Sequence, residues 1–524
     1  MQETKDFKKY IQILNNHQIH FEIYLNDKFL SEDDFNQLHH MNFDYISYDS
    51  RDVDKNTFFI CKGKNFSDEY LEMAIQNGAS LYMSEKNYHK NIPAIIVSNL
   101  REALFLLAEF YFNYPQNHLK LIGITGTKGK STTTLILESI FEQMALQNKS
   151  KPAGVISSIY NFDGFTREES SLTTPEPIEL MSILANCRKA GLQYVLIEAS
   201  SQALKNNRLM TIHFDASIFL NISSDHISDI EHPDFEDYFQ SKIKIFRQSN
   251  HIFLDHALLN FNEVQTALTS AALPTTFSVN DIAADYLLNS YQQKQTFAEL
   301  NIKLIDYELI FKTKLFGEFN AQNILAAIAV AKHYGISDCI IKEGIQKARV
   351  PGRMELFHDQ AENIFCLVDF AHNQLSFQTI FQFTKQYFSD FYQIVVFGSV
   401  GGKAINRRKE LGDIAGKYAD LSILTEDNSS IENQHDINLE IISAIEKSHG
   451  KWLEIVDRKS AIAKAFEIAQ AHFQKSEQKV IILFLGRGVE NSMKIGKINI
   501  PYPSDIEMVE EYLTKLNKIK GKTN

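Results

Sequence analysis

Cysteine and tryptophan are scarce in this chain: four cysteines and one tryptophan in 524 residues. Cys61, Cys187, Cys339 and Cys366 stand far apart and form no CxxC pair. That argues against a zinc site and a disulfide framework, and the four are expected to be buried free thiols in a reducing cytosol. Long apolar runs are missing too. No stretch approaches the roughly 18 apolar residues that a membrane span needs. The start, MQETKDFKKYIQILNNHQ, carries lysines without an apolar h-region, so no signal peptide is expected and the protein reads as cytoplasmic, with no membrane partner. Positive charge is in deficit. Lys and Arg number 53 against 65 Asp and Glu, a formal net charge of -12. A chain that grips a nucleic-acid backbone usually shows a basic surplus, so general DNA or RNA binding is disfavoured. A local basic site for a small anionic nucleotide is not. There is no internal repeat and no low-complexity segment.

What is present is the alternation of an α/β protein. At roughly 100–200 residues per domain the length suggests about three domains. The first block, 1–115, has short apolar strands at 58–61 and 94–97, a helix at 70–77 capped by Gly78, and a long amphipathic helix at 101–111 before Pro115. The second, 116–345, opens on the buried strand 119–124, then a glycine-rich turn and a helix from about Thr132 to Ala145. Strands at 194–197 and 216–220 follow, and a helix across 323–329 closes the block. The third, 346–524, has apolar strands at 365–368, 393–397, 421–424 and 480–484 separated by helices, as in a doubly wound, Rossmann-like domain.

The turn between the first strand and helix of the second block reads Gly126-Thr127-Lys128-Gly129-Lys130-Ser131, followed by Thr132. That is where a phosphate cradle belongs. Glycines let backbone N–H groups approach phosphate oxygens, Lys130 would offset the charge of the β- and γ-phosphates, and Ser131 would offer its hydroxyl to Mg²⁺. The spacing is the shorter GTxGK[ST] form, because Ile124 occupies the first glycine position of the longer one. Two more strand ends carry chemistry. Glu198, in EASSQ, is placed just past a core strand and is a candidate Mg²⁺ ligand, since hard cations prefer carboxylate oxygen. His226, in NISSDH after the next strand, is a second candidate, and Lys242 follows on a helix in DYFQSK.

With these motifs in order, the chain resembles the Mur ligase family, most closely its MurE branch. The resemblance rests on GTKGKS, TTPE at 173–176, EASSQAL at 198–204, NISSDH at 221–226 and DYFQSK at 237–242. It continues through FGEFNAQN at 316–323, PGRME at 351–355, DFAHN at 369–373 and GRGVE at 486–490, with DSR at 49–51 near the start. It covers almost the whole chain. It implies three domains: an N-terminal α/β domain for the uridine of a UDP-muramyl substrate, a central P-loop ATPase domain with a parallel sheet, and a C-terminal Rossmann-like domain for an amino acid. The implied reaction is ATP-dependent. A peptide carboxylate is phosphorylated, and the acyl phosphate is then attacked by an amine.

The resemblance also implies roles for residues. Ser131, Glu198, His226 and Lys242 would position two Mg²⁺ ions. Lys242 would be carbamylated by CO₂, which turns a repelled ammonium into an anionic oxygen ligand. Asn320 and Asn323 match positions at the adenine, and Arg353 and Asp369 match third-domain residues that close over ATP. Ser50 and Arg51 match the uridine region, while Thr173, Thr174, Ser200 and Arg208 match residues that hold the pyrophosphate and muramyl part. His372 is expected at nucleotide or substrate. Gln202 stands where many relatives have histidine. The expected donor is UDP-MurNAc-L-Ala-D-Glu, and the protein is expected to act as a monomer.

The amino acid is the open point. Relatives that add meso-diaminopimelate carry DNPR, whose arginine pairs with the distal carboxylate. Here the stretch is Asp427-Asn428-Ser429-Ser430. Without that bidentate partner a second carboxylate has nothing to hold it, so L-lysine is expected, with L-ornithine next and meso-diaminopimelate as a further alternative. Arg408 is expected at the α-carboxylate and Gly486 and Glu490 near an amino group. Gln374, Lys403 and Ala404 depart from the family pattern around the same pocket. A folylpolyglutamate-synthetase-like ligase and a catalytically idle paralogue with a binding role are the rival readings.

Overall fold

The computed structural model describes residues 5–25, 27–31, 41–63, 65–223, 231–268, 273–361, 363–402, 405–496 and 498–520, with side chains to residue 517. The chain forms two compact units. The first comprises 1–289, 302–309 and 321–345, and the second 290–301, 310–320 and 346–524.

Beside a short antiparallel pair, Lys5–Asp6 with Asn42–Phe43, the first unit holds two large sheets. One has six strands, in the order Lys28–Leu30, Phe21–Leu25, Ala94–Val97, Ala79–Ser84, Thr57–Ile60 and Tyr45–Ser47. Its last four strands are parallel, and the hairpin at 21–30 adds an antiparallel edge. Helix Asp68–Asn77 ends at Gly78 (φ 120°), as the left-handed cap required. Helix Leu100–Tyr111 is buried along nearly its whole length, not along one stripe.

The second sheet of this unit has a parallel core. Its neighbours run Gly154–Ile156, Tyr194–Glu198, Lys120–Thr125, Phe214–Phe219, Ser249–Asp255 and Thr275–Ser278. Strand Lys120–Thr125 lies at the centre and is apolar on both faces because helices cover both. Register puts Glu198 opposite Ile124 and Phe219 opposite Thr125. The ends of three adjacent strands therefore arrive at one edge, where open α/β sheets bind ligands. The helix after the turn spans Lys130–Asn148, longer at both ends than the sequence suggested. The block also does not close on helix Asn320–His333, because helix Asp338–Lys347 follows it.

The second unit is built on a six-stranded sheet. Its order is Glu355–His358, Ile364–Asp369, Val480–Leu485, Tyr392–Phe397, Leu421–Leu424 and Trp452–Glu454. Only the first strand is antiparallel. Two apolar layers flank it, one around Phe377, Phe381, Leu411 and Ile441, the other around Ile462, Phe466, Met508 and Val509. This is the expected doubly wound arrangement. Asp369, Asp427 and Gly486 all sit at or just beyond the carboxyl ends of its strands.

Among the described residues no helix is long and apolar enough to cross a membrane. All four cysteines are free thiols; Cys61, Cys187 and Cys366 are buried as expected, but Cys339 is exposed on the first turn of a surface helix.

Candidate active site

The phosphate turn is shaped by its glycines. Gly126 (φ 147°) and Gly129 (φ 88°) adopt backbone that side chains resist. A Cβ on Gly129 would lie 2.2 Å from Asn323 Oδ1, so the asparagine amide fills the space a side chain would need. The turn is pinned from outside by residues of the adjacent strand end. Thr127 N donates to Asn221 O (3.0 Å), Lys128 N to Asn221 Oδ1 (2.9 Å), and Asn221 Nδ2 returns a bond to Lys128 O (3.1 Å). Tyr238 donates its hydroxyl to Thr127 Oγ1 (3.0 Å). A cradle held this way is pre-formed, which lowers the ordering cost of binding an anion.

Two lysines converge on one carbonyl. Lys130 Nζ donates to Gly126 O (3.0 Å) and Thr127 O (3.3 Å), and Lys242 Nζ donates to the same Gly126 O (2.9 Å). The nitrogens therefore lie within about 6 Å of each other. Lys242 is only 1% exposed and its ammonium lies 4.8 Å from the Tyr238 ring. Two like charges so close in a poorly solvated place repel.

Glu198 is the last residue of its strand, not the one beyond it, and is fully buried. Its Oε2 accepts from Ser131 Oγ (3.1 Å) and its Oε1 from Ser158 N (3.1 Å), while Ser131 Oγ also meets Ser158 Oγ at 2.8 Å. Burial pushes the Glu198 carboxyl above the ordinary carboxylate range, and the Ser158 N–H, Lys130 and Ser131 pull it back. A hydroxyl and a buried carboxylate at one spot are a hard-oxygen donor set that suits a Mg²⁺ ion. His226 lies outside the described residues. Among those described, no group of three or more His, Cys, Asp or Glu stands ready as a metal cage.

Beside this centre, Thr174 donates its hydroxyl to Glu198 O (2.6 Å) and meets Ser200 Oγ at 3.2 Å. Arg208 donates to Thr174 O (3.1 Å) and pairs with Glu176 (2.8 Å), which also takes Lys62, just past strand Thr57–Ile60. Thr173 sits one residue before this network and is half-buried. Ser50 is buried, its hydroxyl 3.4 Å from Met73 Sδ, and Arg51 is exposed and folded onto Asp49 (2.6 Å). Asn323 is buried against the turn and accepts from Thr133 Oγ1 (3.3 Å). A cleft of about 580 Å³ opens next to the turn, lined in part by Asn221, Ile222, Asp255, Phe261, Asn280 and Gln322.

In the second unit, Asp369 accepts from Met354 N (2.8 Å). Burial pushes its carboxyl up, and that N–H and Arg353 pull it back. The Arg353 guanidinium lies 5.7 Å from the Phe370 ring, and His372 Nδ1 meets Phe370 O at 2.8 Å. Asn320 donates to Phe316 O (2.8 Å), which fixes the start of its helix. Asn428 (φ 53°) donates to Glu490 Oε2 (2.9 Å) and accepts from Lys494 N (2.8 Å). Gly486 has no room for a Cβ, because Asp427 Oδ2 would lie 2.6 Å from it. Arg408 is 2% exposed and holds Glu432 (2.7 Å) and Glu440 (2.8 Å). Its guanidinium is thus engaged by the protein's own carboxylates, and Glu432 also accepts from Gly402 N. Lys403 and Ala404 lie outside the described residues.

Several residues at this edge were not singled out from sequence. Asn221 and Tyr238 lay inside quoted motifs, but nothing local marked them as pins of a turn 93 and 111 residues away. Ser158 carried no signal at all.

Comparison with known proteins places these features in one family. Residues 124–331 match the Mur ligase middle domain, and residues 352–488 match the Mur ligase glutamate ligase domain. The UDP-N-acetylmuramoyl-L-alanyl-D-glutamate--L-lysine ligase of Enterococcus faecalis is 34% identical over 480 residues, covering 90% of this chain and 92% of that protein. The UDP-N-acetylmuramyl-tripeptide synthetase of Lactobacillus acidophilus is 34% identical over 495 residues with the same shares. A solved UDP-N-acetylmuramoyl-L-alanyl-D-glutamate--2,6-diaminopimelate ligase superposes with a TM-score of 0.65 at 23% identity, over 92% of this chain and 96% of that one. With both domains matched in order, and relatives spanning nine-tenths of its length, the chain belongs to the Mur ligase family.

Proposed function

We propose that this protein is an ATP-dependent ligase that joins L-lysine to the D-glutamate of UDP-MurNAc-L-Ala-D-Glu in peptidoglycan precursor synthesis. The observation that carries the reading is the strand-end cluster, with the pre-formed turn 126–131, buried Glu198 on the Ser131 hydroxyl, and buried Lys242 sharing an acceptor with Lys130. Names of relatives at 34% identity support the substrates.

In this reading the γ-phosphoryl group of ATP passes to the dipeptide carboxylate, giving an acyl phosphate and ADP. The amine of the amino acid attacks the acyl carbon, an amide forms, and phosphate leaves. The turn N–H groups and Lys130 hold the phosphates and offset charge in the transition state. Ser131 and Glu198, with His226 and Lys242, would hold Mg²⁺, which supplies charge neutralisation at the transferring oxygens. Lys242 is proposed to be carbamylated: its neutral amine adds to CO₂ and sheds a proton. That modification replaces the repulsion between two ammonium groups with an attraction. The cleft by Asn221 and Gln322 has the size for a nucleoside, and we assign it to the base end of ATP, together with Asn323. Thr174, Ser200 and Arg208 would take the pyrophosphate and muramyl part, and Ser50 and Arg51 the uridine. Asn320, Arg353, Asp369 and His372 are proposed for the nucleotide, and Asp427, Asn428, Gly486 and Glu490 for the amino acid. The chain is read as three domains, 1–115, 116–345 and 346–524, in a cytoplasmic monomer.

Phosphate release tests this. It is expected only when ATP, Mg²⁺, UDP-MurNAc-L-Ala-D-Glu and a diamino acid are all present, fastest with L-lysine, then L-ornithine. Release from ATP alone would mean a different P-loop enzyme. Release with meso-diaminopimelate alone would overturn the amino-acid assignment.

A further inference from the structure

Two arginines are wholly buried near the acids Asp427 and Glu490, and they are used differently. Arg458 spends its charge on Asp505 through two bonds of 2.7 Å and gives further N–H groups to Leu485 O and Glu426 O. Arg487 gives only Nη2, to Glu490 O (3.0 Å) and Ser492 O (3.1 Å). Among the described residues its Nε and Nη1 have no hydrogen-bond acceptor, and Nη1 stands 3.7 Å from Glu490 Oε2. A buried guanidinium with three unmatched N–H groups, one on Nε and two on Nη1, is costly, which asks for a use.

The neighbourhood supplies one. The same arginine fixes the backbone of the turn that carries Glu490, and its charge faces the Glu490 carboxylate on one side and the Tyr502 ring, 5.4 Å away, on another. Asn428 Nδ2 donates to that same Glu490 Oε2 (2.9 Å), and Asp427 Oδ2 packs against Gly486. We propose that Arg487 is a positioning residue that presents Glu490, with Asp427, as an anionic wall for the side-chain ammonium of the incoming diamino acid. This rests on the ligase reading above and deepens it.

The electrostatics agree with the geometry. Burial pushes Asp427 up, Arg458 and Arg487 pull it back, Asp505 opposes them and His372 assists. Burial also pushes Glu490 up; the Asn428 bond, Arg487 and Arg458 pull it back, and Asp427 opposes them. Glu426, the other acid in this group, is likewise pushed up by burial and drawn back by both arginines. Without Arg487 the two carboxyls would hold their protons to higher pH, and a protonated wall does not attract an ammonium.

The test is steady-state kinetics on the full-length enzyme from pH 6 to 9 for the wild type, Arg487→Met, Arg487→Lys, Glu490→Gln and Arg487→Met/Glu490→Gln. Arg487→Met is expected to raise KM for L-lysine roughly tenfold at the acid end of the range, the scale of one lost contact to a charged group, and less toward pH 9. KM for ATP should hold. Arg487→Lys keeps the cation but cannot bridge both carbonyls, so an intermediate rise is expected with the wild-type pH profile. The methionine penalty should shrink in the Glu490→Gln background. A loss equal at every pH, a matching rise in KM for ATP, or full additivity with Glu490→Gln would overturn the proposal. Should Arg487→Met not fold, a wild-type KM in Arg487→Lys would overturn it alone. A wild type that turns over with no diamino acid sinks the ligase reading; an active wild type with an indifferent Arg487 sinks only this inference.

Discussion

Gly129→Ala is the sharpest probe of the phosphate turn. Alanine at φ 88° costs about 1–2 kcal/mol in left-handed backbone. Its Cβ would also meet Asn323 Oδ1 at 2.2 Å and Cγ at 3.1 Å. Asn323 is 4% exposed and bonded to Thr133, so yielding would cost that bond, about 0.5–1.5 kcal/mol. Together these terms come to about 1.5–3.5 kcal/mol against the binding-competent turn, or roughly 10- to 400-fold in nucleotide affinity. Calorimetric titration with a non-hydrolysable ATP analogue and Mg²⁺ measures it, beside Asn323→Ala and the double variant. In the Asn323→Ala background the alanine should lose its steric part and keep its backbone part, so its penalty falls to about tenfold. An alanine variant that binds like the wild type, or a penalty unchanged when Asn323 is trimmed, would refute the reasoning.

Other consequences follow from single contacts. Lys242→Ala should abolish turnover, bicarbonate should not restore it, and a short-chain carboxylate should restore part; full activity in a phosphate-release assay would remove the carbamate. Arg458→Met strands Asp505 without its buried partner and should cost about 3–5 kcal/mol by denaturant unfolding of the second unit's signal, most of it recovered when Asp505 is also made apolar. Glu355 is pushed up to about 7 by burial, against the Gly352 N–H bond and Arg349. A folded carboxyl raised above its unfolded value favours the folded state most below about pH 4.5, and that advantage is lost as pH climbs toward 7. Glu355→Gln keeps the acceptor and should flatten that slope, melting at higher temperature than the wild type at pH 8 and no higher at pH 4.5.

The sequence made the fold class legible because the sheet around Lys120–Thr125 and the sheet of the second unit are mostly parallel and covered on both faces. Their strands read as apolar runs such as 121–124 and 480–485, and the gaps between them read as helices. It also placed Glu198, Lys130 and Ser131 at one sheet edge, since strand, turn and helix follow in the order phosphate binding requires. Glu198 proved to end its strand because Ala199 N still bonds Ile124 O, a ladder contact no composition reveals. Contacts between distant segments were not legible. Asn221 holds a turn 93 residues back, and Asn428 meets Glu490 across 62 residues. Arg408, expected at the α-carboxylate, is buried and held by Glu432 and Glu440, a clamp that no pattern in the sequence foretells.

The central claim is amide-bond formation on a UDP-linked peptide. The most direct measurement is the intact mass of the nucleotide product after incubation with ATP, Mg²⁺, UDP-MurNAc-L-Ala-D-Glu and an equal mixture of L-lysine, L-ornithine and meso-diaminopimelate. A species heavier by one lysine less one water, formed in step with phosphate, is expected. An unaltered UDP-linked peptide after ATP has been consumed would contradict it.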